Sequence, residues 1–454
     1  MPLLIMDTLP RLLGPFSAFT LVVGSIIGSG IFVKPQQVAT HLDSFGLIIG
    51  VWIVVGLVTL CGSLALAELA AMLPAAGGPY VYLREAYGRL PAFLWGWTEF
   101  WVIRTGSLGA LSAATAIYMS QLVPLTMGGQ EMVAIAIVVA LSAINMVGTR
   151  WGAAVQNLTT VLKIAFLGLI IVLPFAMRQA DPANLLPILP AEPSPNLWRG
   201  LAMAMIAVLW AYDGWINVAP VAEEIRDPQR NVPLALALGV TTIIVLYVLA
   251  TTAYHLVLTL DEVRGSEAVA ATMCSRLLGG WGGKLVALGV MCSTFGAVNS
   301  NMLTGPRIYF AMARDGLLPA GIRQVHPRWQ TPFNAILLQA LWTVALIVAA
   351  YAWAANKTEA TPVDAFDTLT DFVIFGGSVF YALAVAAVFV LRRTRPELPR
   401  PYRTWGYPLV PSLYMVAFGA AMLSLLLNKP IESLAGATLI LAGVVFYAFV
   451  RRAR

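Results

Sequence analysis

Charge is what this chain has least of. Asp, Glu, Lys and Arg make up 11% of its 454 residues, against about 25% in a typical soluble domain. That scarcity excludes an ordinary soluble enzyme. Histidine and cysteine are also sparse, at three each. His41, His255 and His326 lie far apart, HExxH does not occur, and no Gly-rich loop ends in Lys-Ser/Thr. Zinc hydrolysis and phosphate-loop chemistry therefore have no residues to work with. No catalysis, cofactor or metal is expected, and no nucleotide domain is present to drive work with ATP. Cys61, Cys274 and Cys292 show no metal-ligand spacing. Cys61 and Cys292 sit in apolar runs as packing residues, which leaves Cys274 without an internal disulfide partner.

What the chain does have is apolar length. Hydrophobic residues make up 59% of it, in recurring runs of about 20 residues, each long enough to cross a bilayer. The first run is too long for a cleaved signal peptide, is Gly-rich at its centre, and is followed by Lys34-Pro35. Twelve spans are expected, at about 14–39, 46–73, 91–122, 130–148, 152–176, 198–222, 233–258, 282–311, 333–354, 366–391, 408–427 and 434–450. The segment 259–280 begins with Asp261 and Glu262 and reads as a short surface helix. No low-complexity linker divides the chain, so a single all-α membrane domain is expected. The net charge of +6 needs no nucleic acid to explain it. Arginines crowd alternate loops, with Arg392, Arg393, Arg395, Arg400 and Arg403 in one of them. The positive-inside rule then puts both termini in the cytoplasm, with the chain in the cytoplasmic membrane.

Two spans carry their weakest sequence at their centres. The first contains VVGSIIGSGIFVKP, Val22 to Pro35, where each interior glycine costs a helix roughly 1 kcal/mol. The sixth contains WAYDGWINV, Trp210 to Val218. Small residues also serve close helix packing. These two segments, however, open successive five-helix sets. Five is odd, so the second set starts from the opposite side of the membrane. Interrupted helices at matching places in an inverted repeat point to a transporter with its site at the midplane. Repeat one covers about 14–176 and repeat two about 198–391, with extra helices at about 408–450.

Ionisable residues deep in a membrane are costly and mark function by default. Lys163 lies 13 residues from Arg150 and 15 from Arg178, or about 20 Å from either end. It is predicted to point inward at carbonyls, hydroxyls or a carboxylate. Its ammonium could stand where a transporter would otherwise bind Na⁺, or it could exchange a proton. Asp213 is also deep. It could attract a cationic group, pair with Lys163, or stay protonated. Glu68, Glu99 and Arg104 read as structural ion-pair residues near span ends. Asp371 opens the tenth span, towards water.

Four stretches carry a family resemblance: GSIIGSGIFVKP, AELAAMLPAAGGPYVYLREAYG (67–88), WAYDGWINVAPVAEEIRDPQRNVP (210–233) and NMLTGPRIYFAMARDGLLP (301–319). In order and spacing the chain resembles the amino acid–polyamine–organocation superfamily, and within it the L-type amino acid transporter branch. The resemblance implies the LeuT-like fold, a 5+5 inverted repeat with helices 1 and 6 broken, plus two further helices. It places a substrate site at Ile26, Ile27, Gly28, Ser29, Gly30, Trp210, Ala211, Asp213 and Gly214. Amides after the first break suit a carboxylate, and the carbonyls of Ile26, Trp210 and Asp213 suit an ammonium. Trp210 takes the position of an aromatic gate. Lys163 falls on a lysine found in Na⁺-independent members, with Ser293 and Thr294 as neighbours.

Animal members join a glycoprotein subunit through a cysteine. The corresponding loop here (122–130) has none, so no disulfide-linked heavy subunit is expected. The expected function is Na⁺-independent exchange of neutral L-amino acids by alternating access. The alternatives are proton-coupled symport, exchange of cationic amino acids through Asp213, a non-transporting membrane sensor, and a channel. Amino acid and lipid bilayer are the partners implied.

Overall fold

In the bilayer core a segment must pair its own backbone groups, and these apolar runs do so as α-helices. The computed structural model describes residues 8–190, 192, 195–356, 373–428 and 430–452. The chain opens with α1 (Pro15–Ile26) and α2 (Gly30–His41), which meet at a 41° bend. Next come α3 (Phe45–Met72), the short α4 (Pro79–Tyr87) and α5 (Arg89–Thr98). A π-helical turn, Glu99–Ile103, joins α5 to α6 (Arg104–Ser120). Then follow α7 (Met127–Val147), α8 (Thr149–Ala176) and α9 (Leu197–Ala211). A 3-10 segment, Trp215–Glu224, leads to α10 (Pro228–Val257). Two short helices, α11 (Leu260–Arg264) and α12 (Val269–Leu278), precede the long α13 (Gly280–Arg314). The remaining helices are α14 (Phe333–Ala355), α15 (Val373–Thr394), α16 (Leu409–Asn428) and α17 (Pro430–Arg452).

Among the described residues, eight helices are long and apolar enough to span a membrane, or nine with the α1–α2 pair counted as one. The protein is a multi-pass, all-helical membrane protein. The expected surface helix is in fact two. Thr259 and Glu262 form a capping box that starts α11, each satisfying a backbone amide the helix cannot. Outward-facing leucines and valines such as Leu57, Val139, Leu162 and Val416 are exposed, as lipid-facing side chains are. α1 is central and packs on α8, α10 and α13. Asp371 lies outside the described residues.

The face carrying Leu13, which we call the N-terminal face, is tied shut around the residues that flank the two breaks. Leu13 donates to Glu224 O at 2.9 Å, and Arg226 donates back to Leu13 O at 2.9 Å. The Glu224 carboxylate is fully buried, accepting from Arg307 at 2.6 Å and from Thr149 at 2.8 Å. Glu223 accepts from the amides of Leu9 and Ala76, each at 2.9 Å, and pairs with Arg314 at 2.9 Å. Arg84 and Tyr80 both reach Asp315 at 2.6 Å. Glu68 pairs with Arg392 at 2.7 Å and accepts from the Thr404 amide at 2.7 Å. On the opposite face Arg264 fastens α11 to the end of α2. It donates to Ala39 O at 2.9 Å and Leu42 O at 3.1 Å, and pairs with Asp43 at 2.7 Å.

Candidate functional site

The first helix break begins with a lost backbone bond. In a continuous helix Gly28 N–H would donate to Gly24 O. Here it turns back to Ile26 O at 2.8 Å, and α1 ends at Ile26. The carbonyl of Gly24 is thus left at the negative end of the helix dipole, where a cation is favoured. Lys163, on α8, fills that place. Its Nζ donates to Gly24 O and to Ile27 O, both at 2.7 Å, and the residue is buried. Ser293, on α13, donates to Ile27 O and Gly28 O, both at 2.9 Å. Beyond the break, Ser29 occupies the N-cap position of α2 without a side-chain capping bond, and the first amides of a helix have no carbonyl within it to pair with.

The second break differs in form. α9 stops at Ala211, Gly214 adopts φ 109° and the chain continues as a 3-10 segment. Only glycine reaches that backbone conformation without strain. The two breaks also touch, and glycine makes the approach possible. A Cβ on Gly214 would lie 2.6 Å from Ser25 O, and one on Gly30 would lie 2.9 Å from Ala211 Cα.

Where the breaks cross, a cavity of ≈ 110 Å³ with both polar and apolar walls opens. Ile26, Gly28, Ser29 and Gly30 line it from the first break, and Trp210, Ala211, Asp213 and Gly214 from the second. Ile27, expected at the substrate, is not among the lining residues; it is fully buried, and its carbonyl accepts from Lys163 and Ser293. Thr294 also differs from expectation. Its hydroxyl joins Thr115 at 2.7 Å and bonds back to Val290 O at 2.9 Å, so it serves the α6–α13 contact rather than Lys163. Asp213 is exposed to the cavity and faces it together with Tyr381 of α15. Lys34 Nζ sits 4.8 Å over the Trp210 ring, a cation–π contact that holds the ring at the cavity wall. Of the carbonyls expected to meet an ammonium, Ile26 O already accepts from Gly28 and, at 3.0 Å, from Tyr247. Trp210 O accepts from Asp213 N–H at 3.2 Å.

Two residues gain a place that their sequence setting did not suggest. Arg104 does pair with Glu99, at 2.8 Å, but its Nη1 also donates to Asn217 at 2.8 Å and to Asn301 at 2.6 Å. All three of these partners are buried with it, and Arg104 lines the cavity. The signal was available, since an arginine with a glutamate five residues earlier in one span is costly unless it is used. Tyr247, on α10, places its hydroxyl 3.0 Å from Ile26 O and 3.2 Å from Ala211 O. It carries one hydrogen, so it serves the last turn of one broken helix or the other. A tyrosine in an apolar run gives no sign of this.

Ser107, Ala110, Leu111 and Ala297 continue the cavity wall, on the side of Arg104 away from the N-terminal face. A small chamber between two crossing helix breaks, with charged and apolar walls and a tied N-terminal face, fits a membrane permease for a small solute. The chain belongs to the amino acid permease family, which it matches over residues 13–449. It is 32% identical over 449 residues to the serine/threonine exchanger SteT of Bacillus subtilis (strain 168), covering 98% of each chain. It is 32% identical over 451 residues to the large neutral amino acids transporter small subunit 2 of Homo sapiens, covering 97% of this chain and 80% of that one. It is 30% identical over 458 residues to the b(0,+)-type amino acid transporter 1 of Homo sapiens, covering 97% and 88%.

Proposed function

We propose that this protein is a Na⁺-independent exchanger of neutral L-amino acids in the cytoplasmic membrane, working by alternating access. In this reading twelve spans form a 5+5 inverted repeat plus two helices, with both termini in the cytoplasm. The N-terminal face, rich in arginine, is then the inner face, and the cavity belongs to an outward-facing state. The observation that carries the proposal is Lys163. Its ammonium, with the Ser293 hydroxyl, satisfies the carbonyls that the first break releases. A transporter whose break is held by a tethered cation needs no co-bound ion at that point. Exchange is further supported by the relative named as a serine/threonine exchanger.

The charge around the cavity supports neutral substrates. Within the bundle Lys163 and Arg104 formally balance Glu99 and Asp213, with the half-buried Lys34 at the Trp210 ring. A zwitterion leaves that balance intact, whereas a cationic or anionic side chain would upset it in a setting with little water. The α-carboxylate is read by the amides opening α2. A small polar side chain reaches towards Asp213, Tyr381 and Asn301. The absence of a cysteine in 122–130 supports a chain acting without a disulfide-linked partner.

Counterflow in proteoliposomes tests the proposal. Uptake of labelled serine is expected to require unlabelled amino acid inside and to be indifferent to replacement of Na⁺ by choline. Uptake into empty vesicles driven by an imposed pH gradient would replace exchange with proton symport. Competition by lysine or arginine as strong as that by serine or alanine would assign Asp213 to cationic substrates instead.

A further inference from the structure

A second cavity, larger than the substrate chamber, opens on the lipid-facing side. Its volume is ≈ 450 Å³, and its walls include Phe93, Trp97, Phe100, Trp101, Tyr309 and Trp342. At its mouth Leu341 and Phe446 are exposed, on helices whose outward surface meets acyl chains. The groove follows α5 and the π-helical turn from Phe93 to Trp101, and it closes towards the N-terminal face on Pro319 and Ile322.

Two cations stand at that end. Arg89 lies one turn before Phe93 on α5, hence on the same side of the helix, and Arg323 follows Ile322. Both are exposed. Neither belongs to an ion pair among the described residues. From Arg89 to Trp101 the helical rise is about 18 Å, close to the depth of one leaflet of a core about 30 Å thick. An aromatic, apolar trough of leaflet depth with guanidinium groups at its headgroup end matches one occupant in shape and charge. Basic sites of this kind at a membrane face select anionic headgroups.

The inner wall of the trough is the π-helical turn. Phe100 and Trp101 face the trough, while Ile103 and the adjoining Arg104 line the substrate cavity. Tyr309, in the trough, reaches Glu99 O at 3.5 Å, and Trp342 donates to Trp101 O at 3.2 Å. The turn that carries Glu99 and presents Arg104 is therefore packed from behind by the trough's own side chains. We propose that this trough binds one acyl chain of an anionic glycerophospholipid, its phosphate held by Arg89 and Arg323, and that occupancy sets the position of the Glu99–Arg104 turn and hence the exchange rate.

The test uses the full chain in phosphatidylcholine nanodiscs doped with brominated lipid, which quenches nearby tryptophans. Brominated phosphatidylglycerol is expected to reach half-maximal quenching at roughly tenfold lower mole fraction than brominated phosphatidylcholine. In the Arg89→Gln/Arg323→Gln variant, whose changes are at exposed positions, the two lipids are expected to quench alike. Equal quenching in the wild-type protein, or a phosphatidylglycerol preference that survives in the variant, overturns the site. Exchange in proteoliposomes is expected to rise about threefold when roughly a fifth of the lipid is phosphatidylglycerol, and not in the variant. A rise that persists in the variant overturns the link to transport. Quenching needs no transport, so failure of the lipid site and failure of the exchange reading are separate results.

Discussion

Lys163 stands where α1 runs out of its own donors. Replacing it with alanine would take from Gly24 O the partner it has in the membrane, at about 1–3 kcal/mol for an unsatisfied group, and leave Ile27 O with Ser293 alone. Lys163→Ala is expected to reach the membrane and to lose exchange by roughly 100-fold, measured as counterflow per protein at the surface. Normal kinetics in that variant would remove the coupling role. Tyr247→Phe deletes a single hydroxyl shared by the two breaks. It should raise KM by roughly fivefold, about one hydrogen bond's worth, with little change in expression; an unchanged KM would make the contact incidental. Glu262 offers a test in the extramembrane layer. Hydrogen bonds from Arg276 and then the Thr259 amide hold its carboxyl down from 4.5 to about 2. A lowered folded-state value means that its contribution is complete above about 4.5 and fades as pH falls through about 2. Glu262→Gln should therefore melt lower than wild type at pH 6, with a difference that persists at pH 4 and shrinks towards pH 2 in a thermal-shift series. At this scale Lys163, Asp213 and the glycines could be read from sequence because each is improbable in a membrane. Tyr247, Asn217 and Asn301 could not, because a lone polar residue in an apolar run has many structural uses and its partner lies on another helix.

Among the elements, the paired interruptions were legible for a simple reason: glycine clusters are costly in a helix wherever it lies. Their geometry was not. The first break is a 41° bend between two α-helices, whereas the second continues as a 3-10 segment around Gly214. That difference depends on what each break packs against, which no local pattern encodes. Gly214→Ala would meet both a positive φ and Ser25 O. It should destabilise the protein by about 2 kcal/mol or more and lower the melting temperature in detergent. A wild-type melting curve would mean that the crossing can relax. The boundary between α5 and α6 was invisible as well. A π-helical turn has no sequence signature, whereas Arg104 read as a span-end residue because it lies near the start of its apolar run. α2 and the α11 segment, fastened by Arg264, are expected to move as one piece. Trapping α2 should protect the amides of 260–264 from hydrogen exchange, and independent exchange of the two would separate them.

At the scale of the whole molecule the N-terminal face is tied together, and the seal uses both main chain and side chain. Glu223 gathers Leu9, Ala76 and Arg314 at the N-terminal face. Glu223→Gln is expected to loosen that gathering, so that a cysteine introduced at Ser25 is labelled several-fold faster from the N-terminal side. Unchanged labelling would place the barrier elsewhere. Deeper in, the seal is of another kind. The Leu13–Glu224 and Arg226–Leu13 bonds are peptide to peptide, and the Glu224–Arg307 pair beneath them has no solvent exposure. Mobile ions screen charges that water reaches and scarcely affect those it does not. Raising ionic strength should therefore weaken the Arg314 and Arg84 contacts while leaving the deeper clasp intact. The permease should accordingly keep its resting posture in strong brine, and a turnover rate limited by the opening of this face should be nearly the same in dilute and concentrated salt.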